Sequence, residues 1–377
     1  MGYLLTPDSQ ELVSMVKDFA EREIKEQCKA YDVSGEFPAD IMEKTLAMQL
    51  HLIEVPEEHG GMGLGLVTVA AIYEELAKAD AGIPSTLATS AMALKPVMAA
   101  GTTRQVKQVA ETLTAGGYGA FALTEPAAGS DAANTRTTAV REGNEYVING
   151  DKCFISNGGI ADIYIVFAMT DKQAGTKGIS AFLVESDRQG VSVGKEEDKM
   201  GLRLSNTTSV FFDDVRIPAE NLIGQEGKGF GLAMKTLDIE RILTAAITIG
   251  IAQRAMEEAT AYAKERTTFG KPIIYNQAIQ FMLADMDIKI ETARQMMIHA
   301  LDMAQNGMRT TREAAIAKCY SSDMAMQVVI DALQVLGGYG YSREYPVEKL
   351  MRDAKVFQIL EGTNQIQRMV IAGNLMR

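Results

Sequence analysis

Among the residues able to do acid–base work, Glu361 is singled out by its neighbours. It lies between Leu360 and Gly362, directly after an apolar helical stretch that carries Val356, Phe357 and Ile359. A carboxylate in such surroundings loses water, its pKa rises, and it becomes a better proton acceptor. An isolated Glu-Gly-Thr also suits a helix cap, so the residue by itself leaves both readings open. A second carboxylate, Glu240, lies in the segment Leu237-Asp238-Ile239-Glu240-Arg241. Other catalytic apparatus is not indicated. The histidines His51, His59 and His299 are single, with no paired spacing, and Cys28, Cys153 and Cys319 are far apart and odd in number. Neither a metal site, a disulfide framework nor a Ser-His-Asp arrangement is suggested. Reduced thiols fit a reducing, cytoplasmic setting.

A ligand could be held by Phe121-Ala122-Leu123-Thr124-Glu125-Pro126-Ala127-Ala128-Gly129-Ser130-Asp131. Its small residues, hydroxyls and free main-chain N–H groups can come close to a polar ring edge or a pyrophosphate. A loop closing onto a sheet is the alternative for this stretch alone. No Gly-x-Gly-x-x-Gly opens a helix after a strand: Gly61-Met62-Gly63 is followed by Leu64, Gly65 and Leu66. A nicotinamide-binding Rossmann domain is therefore not supported, and no Walker A segment is present.

These residues need a scaffold, and three regions of different periodicity supply it. Residues 1–118 read as helical: Thr6 and Pro7 suit a helix start, Val13, Val16, Ala20 and Ile24 share one face, and 66–79 repeats the pattern. Residues 119–225 contain short β-branched and aromatic runs at 146–148, 164–167, 181–184 and 210–212. Turn signals at Gly143-Asn144, Asn149-Gly150, Asn157-Gly158-Gly159 and Gly175 separate them, which suggests a β-sandwich or barrel. Residues 226–377 return to the helical period, with helices expected over 229–266, 273–304, 311–336, 346–357 and 364–376. Their broad apolar faces suit a packed bundle. The expected class is multidomain α+β: a helical unit, a β unit and a helical bundle.

The chain of 377 residues is long enough for two to three such units, at roughly 150 residues each. Its composition, 47% apolar and 23% charged, excludes a disordered chain. A net charge of −12 disfavours broad contact with nucleic acid or an anionic membrane, while leaving room for a local basic pocket. The first residues lack a signal-peptide pattern, and no apolar run approaches the ~18 residues of a membrane span. Gly2 with Thr6 matches a myristoylation signal only loosely.

Six segments in order resemble the acyl-CoA dehydrogenase family, in its short- to medium-chain, butyryl-CoA dehydrogenase-like form. They are FALTEPAAGSD (121–131), CFISNGG (153–159), LDIER (237–241), ERTTFGKPI (265–273), QVLGGYGYSREYPVEKLMRDAK (334–355) and ILEGTNQIQ (359–367). The resemblance spans essentially the whole chain. It implies a helical N-terminal domain, a middle β domain and a C-terminal four-helix domain, with FAD between domains and across a subunit interface. It places Phe121, Leu123, Thr124, Gly129 and Ser130 at the flavin and pyrophosphate, and Phe154, Ile155 and Ser156 at the isoalloxazine. Arg266, Thr268, Phe269, Gln277, Gln334, Gly337, Gly338, Thr363 and Gln365 would hold the adenine dinucleotide half, partly from a neighbouring subunit. The types suit this: Arg266 offers a fork of donors to pyrophosphate oxygens, and Gly337 and Gly338 let backbone come close.

The same resemblance implies oxidation of an acyl-CoA thioester to a 2-enoyl thioester, with electrons passed to an electron-transfer flavoprotein and the chain a homotetramer. Glu361 would take the α-proton while hydride leaves the β-carbon for flavin N5. The backbone N–H of this glutamate and a flavin hydroxyl would steady the thioester oxygen. Ser130, Asp238, Arg241, Leu360 and Gly362 would meet the acyl-CoA. Some branches of the family carry their base in the segment matching LDIER, which makes Glu240 a rival and otherwise a supporting or helix residue. Two positions depart from the common pattern. Phe154 stands where Trp is frequent, and Leu360 where Tyr is frequent, so the acyl group is left open. So is the physiological direction, since the same site can act as an enoyl-CoA reductase. A non-enzymatic flavin- or DNA-binding relative is the remote alternative.

Overall fold

The computed structural model describes residues 3–376. Gly2, on which the myristoylation reading falls, lies outside them. The chain opens with α1 (Pro7–Phe19), whose N-cap Thr6 accepts a hydrogen bond from the Ser9 N–H at 3.3 Å. A π-helical turn, Ala20–Ile24, leads to α2 (Cys28–Ser34), α3 (Ala39–Ala47), α4 (Leu66–Ala79), α5 (Gly82–Ala100) and α6 (Thr103–Thr114). Helix α5 keeps a proline, Pro96, in its interior, directly after Lys95.

The strands follow: β1 (Gly119–Ala122), β2 (Thr138–Glu142), β3 (Glu145–Ser156), β4 (Ile163–Met169), β5 (Ile179–Glu185), β6 (Val191–Val193), β7 (Thr207–Pro218) and β8 (Leu222–Ile223). They form one sheet in the order β6-β7-β3-β2-β4-β5-β8, with β1 parallel to β4. A single residue pair, Thr138 with Met169, joins the two halves. The sheet folds over there, so that Ile148, Val210 and Phe212 of one half pack on Tyr164, Val166 and Phe182 of the other. It is thus an open sandwich and not a closed barrel. The other face of β4 (Ile163, Ile165, Phe167 and Met169) packs on Val97, Val109 and Leu232 of the surrounding helices. A strand covered on both faces must be apolar throughout, which is why β4 shows no alternation.

One expected turn is absent. Asn149-Gly150 lies inside β3, where the pairing with β7 shifts register. Gly150 has φ 147°, and a Cβ there would stand 2.5 Å from Thr137 Oγ1. The glycine thus allows a bulge and close contact within a strand, not a reversal between strands.

The remaining helices are α7 (Gly229–Glu265), α8 (Gln277–Gln305), α9 (Thr311–Leu336), α10 (Val347–Val356) and α11 (Asn364–Leu375), with a short hairpin, β9 (Thr267–Thr268) and β10 (Lys271–Pro272), after α7. Helix α8 starts four residues later than its periodicity suggests. Pro272 leads into a 3-10 turn over Ile273–Tyr275, and Asn276 is extended before the helix begins. Helix α7 is the axis of the molecule: Ile242 to Ala252 are all buried, because α4, α5, α8 and α9 surround them. Among the described residues, no helix is long and apolar enough to cross a membrane.

Candidate active site

Glu361 sits at the elbow between α10 and α11. Its φ is 56° and that of Gly362 is 88°, so two successive left-handed residues reverse the chain. For a glutamate this conformation costs roughly 1–2 kcal/mol. The surrounding hydrogen bonds hold it in place. Arg241 Nε donates to the Glu361 carbonyl at 3.1 Å, and Gln367 Nε2 donates to the same oxygen at 2.9 Å. Lys318 Nζ donates to the Gly362 carbonyl at 2.7 Å and to Asn364 Oδ1 at 3.0 Å. Thr363 caps α11 by accepting the Ile366 N–H.

The side chain of Glu361 is not tied down. Its Oε2 is buried with no hydrogen-bond partner among the described residues. Its own main-chain N–H donates no hydrogen bond there either. Burial raises the carboxyl above the usual range, while the charges of Arg241, Lys318 and Lys95 draw it back down. Burial also lowers the Lys318 ammonium to about 8.

The Glu240 side chain is engaged elsewhere. Lys95 Nζ forms ion pairs with Glu240 Oε1 and, at 2.7 Å, with Glu54 Oε2. Burial, and the nearby charge of Glu54, raise the Glu240 carboxyl although Lys95 opposes them. Asp238 Oδ1 accepts from Arg241 at 2.8 Å, and its Oδ2 accepts from Thr311 at 2.7 Å. Arg241 is expected from the sequence to meet CoA. Here it is buried, with Nη1 directed to Asp238 and Nε to the Glu361 backbone. Leu360 is half-buried against the main apolar core.

The segment 121–131 is held from behind by a buried lysine. Lys152 Nζ donates to the Leu123 carbonyl at 3.1 Å, the Phe167 carbonyl at 2.6 Å and Glu125 Oε1 at 2.7 Å. Glu125 in turn accepts the N–H groups of Arg136 and Thr137. Leu123 is buried and Phe121 packs beside it, both near Leu237 of α7, whereas Gly129 and Ser130 are exposed. Phe154 lies in a second bulge of β3, with φ 54°, and is 67% exposed. The bulge turns this ring out of the pleat and away from the core. Ile155 is buried and Ser156 half-buried beside it. Asn157 Nδ2 then ties the strand end to α5 through the Thr86 carbonyl at 3.0 Å.

Another group gathers at the far end of α7. Arg266, Thr268, Gly337, Gly338 and Tyr339 line a cleft of about 580 Å³. The Arg266 guanidinium lies 5.9 Å from the Tyr339 ring centre. Gln277, Gln334 and Gln365 are exposed, and Phe269 is fully so. Arg266 lies roughly 37 Å along the helix from Arg241, at about 1.5 Å per residue. The Arg266 cleft therefore stands well apart from Arg241 and from the Glu361 elbow that Arg241 holds.

Sequence reading missed Lys95, Glu54, Lys318, Gln367 and Lys152. Lys95 and Lys318 did leave a trace, each being a lone cation in an otherwise apolar helical stretch.

The whole chain matches one family. Models for the acyl-CoA dehydrogenase N-terminal, middle and C-terminal domains match residues 6–117, 120–215 and 227–376. The chain belongs to the acyl-CoA dehydrogenase family. A relative described as a short-chain-specific acyl-CoA dehydrogenase, from Megasphaera elsdenii, is 44% identical over 100% of both chains. The solved butyryl-CoA dehydrogenase of Megasphaera elsdenii superposes with a TM-score of 0.97 at 43% identity, covering 100% of each chain. A chain from structural work on the electron transferring flavoprotein of Acidaminococcus fermentans gives 0.97 at 44%, again with 100% of each covered. As an acyl-CoA dehydrogenase the chain is a flavin-dependent oxidoreductase that acts on acyl-CoA, and FAD is its cofactor.

The residues present fit that cofactor. Cβ atoms added at Gly129, Gly337 or Gly338 would meet nothing within 4 Å, so each borders open space. Arg266 offers an exposed cation at the cleft that Gly337 and Gly338 line.

Proposed function

We propose that this chain oxidises a short-chain acyl-CoA to the trans-2-enoyl-CoA, with Glu361 removing the α-proton and the electrons passing to an electron-transfer flavoprotein. One observation carries the reading: among the described residues, a buried carboxylate oxygen without a partner stands on the same residue as a main-chain N–H without an acceptor. The first can take a proton, and the second can donate to the thioester oxygen as negative charge develops there. When bound, FAD would supply the acceptor for the hydride that leaves the β-carbon.

The chain's own residues prepare the rest. Arg241, Gln367 and Lys318 fix the elbow, so that the carboxylate approaches the α-carbon from one direction. Burial makes Glu361 a stronger base than a solvated glutamate. Phe121, Leu123, Thr124, Gly129, Ser130, Phe154, Ile155 and Ser156 would border the flavin, with Lys152 and Glu125 keeping their loop rigid. Asp238, Ser130, Leu360 and Gly362 remain the residues for the acyl-CoA, and Arg241 acts on it through the Glu361 backbone.

The Arg266 cleft is too far along α7 for one dinucleotide to reach both it and Glu361. This supports a cleft that serves the cofactor of a neighbouring subunit, together with Thr268, Phe269, Gln277, Gln334, Gly337 and Gly338, in a homotetramer, while Thr363 and Gln365, beside Glu361, would complete the adenine dinucleotide set from the Glu361 side. The units 1–118, 119–225 and 226–377 are the corresponding domains, and a cytoplasmic setting suits the buried free thiols. Anaerobic titration of the FAD-loaded protein with straight-chain acyl-CoAs tests the reading. Bleaching of the flavin by short chains supports it; an oxidised spectrum with every thioester contradicts it.

A further inference from the structure

The segment VEKLMRDAK (347–355) forms most of α10, and the proposed reaction uses none of its side chains. Two of them are buried charges. Asp353 is 1% exposed, and its Oδ1 accepts the Leu202 main-chain N–H at 2.7 Å. Its Oδ2 pairs with Lys349, one turn earlier, and Lys349 Nζ also pairs with Asp80 Oδ2 at 2.7 Å. Asp80 in turn accepts the Gly82 N–H at the start of α5. The loop between β6 and β7 is thus fastened to α10, and α10 to the corner between α4 and α5. Backbone lies directly on backbone at this junction: a Cβ added at Gly201 would stand 2.3 Å from the Arg352 carbonyl carbon. Arg352 Nη1 also donates to the Met200 carbonyl at 3.0 Å. Leu202 has φ 52°, a left-handed conformation that a leucine keeps only where its surroundings hold it.

The junction leads by direct contacts to both halves of the proposed site. On one side the loop runs on from Leu202 to Asn206. The Asn206 carbonyl accepts the Asn157 N–H at 2.9 Å, and its Oδ1 accepts the Gly159 N–H at 2.8 Å. Ser156 and Ile155, proposed to border the flavin, pair with Thr207 and Thr208 directly after it. On the other side α10 runs by unbroken turns into the elbow: the Ile359 and Leu360 N–H groups both donate to the Val356 carbonyl, at 2.8 and 2.9 Å. Asp353 therefore stands between the strand end that would border the flavin and the elbow that carries the carboxylate. Small displacements at such a place matter, since a misplacement of about 1 Å can cost on the order of 10²-fold in rate.

We propose that Asp353, supported by Lys349, is a positioning residue that keeps the flavin-bordering strand end and the Glu361 elbow in register. The proposal rests on the acyl-CoA dehydrogenation reading and adds to it. The two bond-breaking events make different demands on this register. For Glu361 to take the α-proton, only the carboxylate and the thioester must be aligned. For hydride to leave the β-carbon, the carboxylate, the thioester and the flavin must be aligned together. A loosened junction therefore slows hydride loss far more than proton removal. A carboxylate suits the task, because one oxygen holds the N–H of the loop while the other holds the lysine that makes its burial tolerable.

Two variants of the FAD-loaded protein loosen the junction by different means. Asp353→Ala removes the acceptor for the Leu202 N–H, and Gly201→Ala wedges a methyl group against α10 without altering any charge. Asp353→Asn keeps an acceptor oxygen and is the conservative control. FAD content and melting temperature establish which variants are folded, and Gly201→Ala carries the test if Asp353→Ala is not. Flavin reduction by butyryl-CoA is measured by stopped flow. Exchange of the acetyl-CoA α-protons in deuterated water is measured by NMR, because acetyl-CoA has no β-carbon to oxidise and needs the base alone. Reduction should slow by about 10- to 100-fold in Asp353→Ala and Gly201→Ala, exchange should change by less than about threefold, and Asp353→Asn should recover most of the reduction rate. Amide hydrogen exchange of the substrate-free variants should show residues 153–159 and 357–363 losing protection together. An unchanged reduction rate, equal losses in reduction and exchange, or a loss of protection confined to 200–206 would overturn the proposal. A parent protein that no thioester reduces would contradict the dehydrogenation reading alone. Joint loss of protection in the two segments would then still support the positioning role, and its absence would overturn it.

Discussion

Arg241 Nε lies 3.1 Å from the main-chain carbonyl oxygen of Glu361, a contact across 120 positions of sequence that fastens the central helix to the elbow carrying the carboxylate. The same guanidinium is paired with Asp238 through Nη1 at 2.8 Å, so two of its three nitrogens are held. Lysine keeps the charge but lacks the planar fork. Arg241→Lys should lose one of the two contacts. A hydrogen bond to a charged group is worth about 1.5–3 kcal/mol, and denaturant unfolding should show a loss of that order. Flavin reduction should slow, with FAD content unchanged.

The buried Glu361 carboxyl gives the protein a pH-dependent weakness. Its pKa is raised on folding, so the folded state holds a proton that the unfolded state releases first. Stability due to this group is therefore full below the unfolded carboxyl range and falls as pH rises through the folded value. Glu361→Gln keeps a neutral group in the same place. Its melting temperature should exceed that of the parent at neutral pH, and the two should converge near pH 4. A difference that persists unchanged at low pH would argue against a raised carboxyl.

Lys318 has the opposite sign. Burial lowers it from 10.5 to about 8, so the folded state loses this proton before the unfolded state does. Between about pH 8 and 10.5 the unfolded chain binds the extra proton, and stability contributed by this group rises with pH. In Lys318→Met that rise should be missing, which thermal melts over this range would reveal. Loss of its bonds to Gly362 and Asn364 should also lower stability at neutral pH by about 1–3 kcal/mol.

Arg266 is exposed, its guanidinium set over the Tyr339 ring, so its removal should scarcely affect folding. Arg266→Gln should instead weaken FAD binding by roughly 10- to 100-fold, the worth of a charge-assisted contact to an anion. Equilibrium dialysis against free FAD measures this. Mixing experiments add the subunit test: an Arg266→Gln chain assembled with a Glu361→Gln chain should regain some active sites if the cleft serves a neighbour.

The alternation of helical and strand periods made the α-β-α order legible, because each region is long enough to repeat its period. β4 was legible as a strand for a different reason, a short wholly apolar run enclosed on both faces. Asn149-Gly150 misled because the dipeptide that makes a hairpin also makes a bulge, and only the register with β7 decides between them. Glu361 was found through its motif, while the groups that hold it were not. Lys318 is 44 residues from Gly362, and Lys95 is 145 from Glu240, distances over which no local pattern carries information. Their one trace was chemical. A lone cation in an apolar helix must find an anion or carbonyl in the interior, but its identity depends on how helices pack.

Two carboxylates lie near one another in this site, and only Glu361 is proposed to take the proton. Glu361 has a buried oxygen without a partner, whereas Glu240 is paired with Lys95. The direct test is the single-turnover rate of flavin reduction by a short-chain acyl-CoA, measured by stopped flow in FAD-loaded Glu361→Gln and Glu240→Gln. Loss of a general base costs about 10²- to 10⁴-fold, and that loss should appear in Glu361→Gln with FAD still bound. Glu240→Gln should retain a rate much closer to the parent. The reverse result, a reduced rate in Glu240→Gln and a preserved one in Glu361→Gln, would contradict the assignment.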